Sequence, residues 1–590
     1  MEKYEKAFSL LTHARLPVIL SLLAMFISLP GLFTGFKVDD YIHRIKFMDS
    51  SAMDNPINGF RLFGMFSWQT KNHAEFLQQL DRGDLPWWTY EGLRISFWRP
   101  LAEITHWLDY QFLPDSPEFM LFHNLLWFGA VVLVVSIFFR RIMGITHLAG
   151  LAGLLYALDH THFLNVSWIA ARNSMIATFF GVSSLIAHDR LIKDTWKAGY
   201  IIAPVCLILS LLSAEYGVVT IFYIFSYSVF IDNRRLKDRA LSLLPYMMVT
   251  ITWRIFYTIG RFGSFGSMTY IDPAKSPLEF ISVLHKRLPV MFQGEWGISP
   301  STFFILPEAV KTPMWFATLV LSAIGLTLIF PLLRTDNKAR FWFTGFFLSS
   351  ILMCAAFSDD RLFIFTGMGA VALLAQLIFS WHHNAPWLPN MKFLRILTNF
   401  LVIILIAVHL FLSPLLFSMK MMIFNNFTQK MYHAPAMNLG TQTDYTDKDL
   451  VLINPVDALQ GIYFLVTRMC YNLSIPMHLR VLFAGLNNLK IMRTDPQTLV
   501  VEPEGGYFSE RGSTGFRDQL HPLQKGKRIE LTGLTIEILS LTTDGRPEKV
   551  AFHFKKAFDD PSLIFLKWHS GRYVRFEPPD IGTFTRLKGE

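Results

Sequence analysis

The sequence is poor in charge. Asp, Glu, Lys and Arg make up 17% of its 590 residues, where ordinary soluble chains carry about 25%. Hydrophobic residues reach 52%, Phe alone fills 55 positions, and mean hydropathy is +0.34. So few charges would not keep one large soluble domain in solution, and so much apolar side chain excludes a disordered chain. Cysteine is scarce as well. Cys206, Cys354 and Cys470 stand far apart, which excludes a disulfide framework and zinc-type spacing. No internal repeat and no low-complexity tract interrupts the chain. The class that remains is a polytopic α-helical membrane protein with a soluble part.

The net charge of +9, from 54 Lys and Arg against 45 Asp and Glu, does not mark a nucleic-acid binder. The basic residues sit in short clusters between apolar runs. That is the positive-inside arrangement and not a stripe that tracks phosphates.

A spanning helix needs about 20 mostly apolar residues. Eleven runs read as spans, at roughly 16–36, 119–139, 145–164, 166–187, 198–214, 216–231, 240–258, 314–333, 341–357, 362–381 and 395–417. The first has too long an apolar core for a cleaved signal peptide and reads as a retained anchor. One set of short loops carries Arg140 and Arg141; Arg190, Lys193 and Lys197; Arg234, Arg235, Lys237 and Arg239; Arg334, Lys338 and Arg340; and Lys392 and Arg395. The opposite short loops carry little besides Arg361, so the first set is cytoplasmic. This predicts a membrane body over residues 1–420, with outer loops at 37–118 and 259–313.

The tail at 430–590 reads as a separate extracytoplasmic soluble domain, mixed α/β and mostly β. Val451–Asn454 is a short buried strand, 457–471 an apolar helix, and His478–Ala484 a strand. Alternation then takes over at Arg528–Leu531, Leu534–Ile538 and Val550–Phe554, which predicts a small β-sandwich.

The residues able to carry chemistry fall on the outer side. Asp39-Asp40-Tyr41-Ile42-His43-Arg44 follows the first run. Carboxylates at that depth can take a proton from an acceptor hydroxyl, hold a divalent ion, or simply cap a helix. Trp98-Arg99-Pro100-Leu101 predicts a helix start beside the interface, with Arg99 a phosphate ligand or an anchor. His160 and His162 in Asp159-His160-Thr161-His162 have a metal-like spacing but no third ligand nearby. Arg172 lies inside the fourth run and Glu215 at a tight hairpin; each is a costly charge that marks a functional cavity, or else the two pair with each other. Gly260-Arg261-Phe262-Gly263-Ser264-Phe265-Gly266, leading to Tyr270 and Asp272, permits motion and close backbone approach. Ser358-Asp359-Asp360-Arg361 presents a cation at the depth of a lipid phosphate.

Taken in order, these pieces resemble the GT-C fold of glycosyltransferases that use polyprenyl-phosphate sugars. They are similar to protein O-mannosyltransferases and to the lipid A aminoarabinose transferases. The matching segments are Asp39-Asp40, Arg99-Pro100-Leu101, His123-Asn124-Leu125-Leu126, the stretch His160 to Arg172, Glu215, and Asp360-Arg361-Leu362. They cover about residues 16–380. Two positions depart from the O-mannosyltransferase pattern: Asn165 stands where relatives often have Glu, and Ala214 where a Lys usually precedes the Glu. No tetratricopeptide repeats follow.

The resemblance implies a membrane enzyme that transfers a hexose or pentose, with inversion, from a polyprenyl phosphate to a hydroxyl of a protein, lipid or glycan. Asp39 or Asp40 is then the general base. Arg99, Arg172, Arg361 and Glu215 form the donor and phosphate site, and His43, His160, His162 and Tyr270 are further site candidates. No cofactor is required; a divalent metal, if present, falls to Asp39 and Asp40. The partners are the lipid donor, membrane lipids and an acceptor the sequence does not name. The location implied is a bacterial inner membrane with the site facing the periplasm. Two other classes remain open: a polysaccharide polymerase or ligase using a lipid-diphosphate donor, and a lipid or solute transporter, which would place charges at mid-membrane depth in broken helices.

Overall fold

The computed structural model describes residues 9–48, 64–70, 72–305, 308–389, 391–439, 444–508 and 514–589. Parts of both expected outer loops (49–63, 71 and 306–307) and of the tail (440–443, 509–513 and 590) lie outside them. The chain forms two compact units. One is Met1–Phe36, Phe97–Phe262 and Asp272–Phe424; the other is Lys37–Ser96, Gly263–Ile271 and Asn425–Glu590.

Helix dominates the first unit, and its boundaries have local causes. Pro117 opens Pro117–Met143, and Gly144 ends it at a φ of +81°, which glycine adopts without strain. Thr146 caps His147–Ala157 by accepting the Ala149 N–H, and Asp336 caps Asn337–Met353 through the Lys338 N–H. Each expected apolar run carries helix. Among the described residues, however, only six helices are long and apolar enough to cross a membrane: Leu16–Phe33, Pro117–Met143, Ile169–Lys193, Val310–Thr335, Asp360–His382 and Lys392–Met437. Gly199–Leu211 and Glu215–Phe230 are apolar but shorter. The expected run at 145–164 breaks after Ala157, because Asp159 accepts the Thr161 N–H and starts a 3₁₀ turn at His160–His162. The six apolar helices mark an integral membrane protein.

The helical core is aromatic and tightly spaced. Phe138, Phe139, Tyr156, Tyr223 and Trp342 are buried, and the Phe139 and Trp342 rings lie 5.3 Å apart. Helix Phe363–His382 approaches Asn337–Met353 so closely that a Cβ at Gly369 would lie 2.5 Å from the Trp342 carbonyl oxygen. Small residues at such crossings are the usual means by which membrane helices pack.

In the second unit, Asp449–Leu452 and His478–Val481 pair in parallel, with the helix Ala458–Cys470 between them in sequence. Leu563–His569 adds in parallel on the other side and Arg572–Arg575 antiparallel beyond it. A six-stranded antiparallel sheet runs in the order Phe584–Leu587, Leu489–Asp495, Thr498–Pro503, Pro547–Phe554, Leu534–Leu541, Arg528–Leu531. The expected sandwich is thus one antiparallel sheet plus a mixed, helix-bearing one. Two segments expected as outer loop also fold in this unit. Ser67–Gln69, Arg94–Ser96 and Gly263–Phe265 form a three-stranded antiparallel sheet. Helix His73–Arg82 contributes Phe76 and Leu80 to a core shared with Leu450, Leu479 and Val501. The other part of the glycine-containing loop, in the first unit, holds the 18-residue helix Pro277–Gly294.

Candidate active site

In the second unit, Asp39 and Asp40 open the helix Asp39–Met48. Acidic residues suit a first helical turn, where backbone N–H groups point outward. Their side chains part company. The Asp40 carboxylate is fully buried and accepts the Lys37 N–H at 2.9 Å. Burial also pulls the Lys37 ammonium down to about 8, against the opposing pull of Asp40. Asp39 is half-buried and accepts a hydrogen bond from the Tyr463 hydroxyl, 424 residues along the chain. Between Lys37 and Asp39, Val38 is held at a φ of +33°. A β-branched residue there is strained by about 1–3 kcal/mol, and such strain gathers at functional sites.

Tyr463 comes from helix Ala458–Cys470, whose first turn is capped by Asp457 accepting the Gln460 N–H. The tyrosine is buried, and the edge of the Tyr432 ring packs on it at 5.1 Å. Burial, with the Asp39 charge beside it, raises the Tyr463 phenol well above its ordinary range. It is therefore a constant donor. His43 lies four residues beyond Asp39 on the same helix but is buried, edge-on to Phe66 at 5.2 Å. Tyr270 is half-buried in the segment Gly263–Ile271.

In the first unit, Arg99 and Glu215 meet. Arg99, at the mouth of helix Pro100–Phe112, donates to Glu215 Oε2 through Nε (2.9 Å) and Nη2 (2.7 Å). The Tyr257 hydroxyl donates to the other carboxylate oxygen at 3.1 Å. Arg172 does not pair with Glu215, as one reading of the sequence allowed. It is fully buried and lies 2.5 Å from Asp109 Oδ2. It also donates to Asn124 Oδ1 at 2.6 Å and to the Met120 carbonyl at 2.9 Å. His123 bonds the second Asp109 oxygen at 2.8 Å. Charge at that depth needs such partners, and these occupy the guanidinium.

Arg361 is different. Its side chain is 16% exposed, stacked 5.0 Å over Phe357 and 5.5 Å over Trp168, with Asp359 at 4.0 Å. Asn165, where the resemblance had expected an acid, donates to the Arg361 carbonyl at 3.0 Å. Next to it, Asp360 is saturated by Lys420 (2.9 Å), by both Ser299 and Ser301 hydroxyls and by the Ser301 N–H. His162 is fully buried against Tyr156 and Phe128, and His160 is nearly buried.

Tyr463, Lys420 and Glu295 also belong to these surroundings, though no sequence motif marks them. Glu295 is buried, and burial together with the charges of Asp159 and Asp360 pushes its carboxyl well up. Only a rare acid in a mostly apolar stretch could have flagged it. Nothing local could have flagged Tyr463. Among the described residues, no three His, Cys, Asp or Glu side chains are gathered to hold a metal ion.

No protein-family model and no curated protein matches the chain. Among solved structures it is similar to the Archaeoglobus fulgidus oligosaccharyltransferase in complex with Zn and sulfate, at 14% identity and a TM-score of 0.38, over 78% of this chain and 62% of that one. It is also similar to the oligosaccharyltransferase AglB of the same archaeon, with an inhibitory peptide and a dolichol-phosphate: 13% identity, TM-score 0.39, 78% of this chain and 64% of that one. A third is ArnT from Cupriavidus metallidurans in the apo state: 12% identity, TM-score 0.35, 76% of this chain and 84% of that one. The chain spans less than two thirds of either oligosaccharyltransferase chain. At TM-scores this low the likeness transfers no residue role, ligand or substrate.

Proposed function

We propose that this chain is an integral-membrane glycosyltransferase moving a sugar from a polyprenyl-phosphate donor to an acceptor hydroxyl, with inversion. The observation that carries the reading is the divided fate of the two first-turn carboxylates. Asp40 is consumed by its own turn, whereas Asp39 is half-buried, oriented by a phenol and placed on strained backbone. That is what a general base needs: a fixed carboxylate within reach of the acceptor. The acceptor oxygen forms a bond to the anomeric carbon as the carbon–oxygen bond to phosphate breaks. The acceptor proton passes to Asp39, and the electron pair leaves with polyprenyl phosphate. Arg361, half-buried and stacked on aromatic rings, supplies the cation for the departing phosphate; Arg99, braced by Glu215, is a second candidate.

The basic loops support an eleven-span body with residues 37–118, 259–313 and 430–590 on the outer face, as in a bacterial inner membrane facing the periplasm. The test compares purified Asp39→Asn and Asp40→Asn chains in transfer from polyprenyl-phosphate sugars. Asp39→Asn is expected to lose about 10²–10⁴ in rate. Wild-type rates in Asp39→Asn would remove the base from Asp39, and wild-type rates in both variants would remove it from this helix.

A further inference from the structure

Resting on that reading, we infer that Tyr463 is a positioning residue for the transfer, its hydroxyl fixing the direction of the Asp39 carboxylate. This gives the β-rich unit a part in the chemistry, since Tyr463 lies on the helix Ala458–Cys470 that its parallel strands flank.

A carboxylate at the first position of a helix rotates about two side-chain bonds, and a base that rotates is a poor base. Asp40 is held by its own turn. Asp39 is held from a distance of 424 residues, through its Oδ1 and the Tyr463 phenol. The phenol itself has little freedom. Its ring is 3% exposed and packs against Tyr432, whose hydroxyl is in turn donated to Asp457 at 2.7 Å. Asp457 caps the helix that carries Tyr463. Ring, cap and helix are thus one braced assembly, from which the Tyr463 hydroxyl reaches Asp39. A phenol in such a place keeps its proton, so it orients the carboxylate and does not compete with it for the acceptor proton.

A hydrogen bond between distant segments also has a purely architectural explanation, and the two differ in what they do to kinetics. Tyr573 supplies the matched control. It is another buried tyrosine of the same unit, donating its hydroxyl to Gln460 Oε1 at 2.9 Å on the same helix. Each variant loses one buried hydroxyl bonded to a side chain, and of the two tyrosines it is Tyr463 that bonds Asp39.

The experiment uses the full chain in lipid nanodiscs with a mixture of short-chain polyprenyl-phosphate hexoses and pentoses, reading released polyprenyl phosphate by mass spectrometry. Rates are normalised to folded protein. Tyr463→Phe is expected to lower kcat roughly 10- to 100-fold with KM unchanged, while Tyr573→Phe keeps wild-type kcat. Adding Tyr463→Phe to Asp39→Asn should cause no further loss, because the group it positions is gone. The inference is overturned if Tyr463→Phe keeps wild-type kcat while Asp39→Asn is inactive, or if the two losses multiply in the double variant. Wild-type turnover by Asp39→Asn is a separate result: it removes the base reading and this inference with it.

Discussion

Asp39 and Asp40 are neighbours of identical chemistry, and their surroundings give them different work. Asp40 is buried and bonded to the Lys37 N–H. Its replacement by Ala leaves a buried amide and a buried ammonium without their carboxylate, a loss of about 3–5 kcal/mol. The expected outcome is an early thermal transition for Asp40→Ala and a near-normal one for Asp39→Ala. Arg172 divides in the same way from Arg361. Both read from sequence as cations for the donor, but Arg172 is bound up with Asp109, Asn124 and a carbonyl. Arg172→Ala strands the buried Asp109 and should cost about 3–5 kcal/mol, seen as loss of folded protein on gel filtration. Arg361→Ala should leave the melting temperature nearly unchanged and weaken donor use. Sequence could name these residues because charge in an apolar run is rare. It could not tell a locked charge from an available one, since that depends on partners 48 to 63 positions away, such as Asn124 and Asp109 for Arg172.

Elements were legible wherever their cause is local. The strand Arg528–Leu531 and the helix Ala458–Cys470 fall where alternation and apolar content place them, because their pattern lies within a few residues. Helix Pro277–Gly294 and the sheet joining Ser67–Gln69 to Gly263–Phe265 were not, because one is interrupted by charges and the other pairs short segments far apart. Close helix contact gives one prediction at this scale. Gly369→Val forces side-chain atoms onto the Trp342 carbonyl and should lower stability by about 1–3 kcal/mol in detergent melts. A second concerns the tie between helix His73–Arg82 and the β-rich unit. Asp81 accepts the Thr532 N–H at 2.6 Å and the Arg480 guanidinium at 3.1 Å, while Asp449 accepts from His478 at 2.6 Å and Lys556 at 2.9 Å. Partial burial alone would raise both carboxyls; these bonds outweigh it and hold both below their ordinary 3.8. The unfolded chain therefore binds protons first on acidification. The stability these groups give is complete above pH 3.8 and is lost as pH falls through the lower folded values. Acid unfolding followed by circular dichroism should move to higher pH in Asp81→Asn; an unmoved midpoint would contradict the tie.

Arg361 and Arg99 lie in the helical membrane unit, and Asp39 and Tyr463 lie in the β-rich unit. Composition made the membrane class plain, and the order of short motifs is what suggests a transferase. The role of the tail was not readable, because only folding brings residue 463 to residue 39. The donor class is the point on which transferase, polymerase and transporter part. The most direct measurement offers the nanodisc-embedded chain matched polyprenyl-monophosphate and polyprenyl-diphosphate sugars and follows the released lipid by mass spectrometry. Free polyprenyl phosphate should accumulate from the monophosphate donor with wild type and not with Asp39→Asn. Release from the diphosphate donor alone, or equal release by wild type and Asp39→Asn, would contradict it.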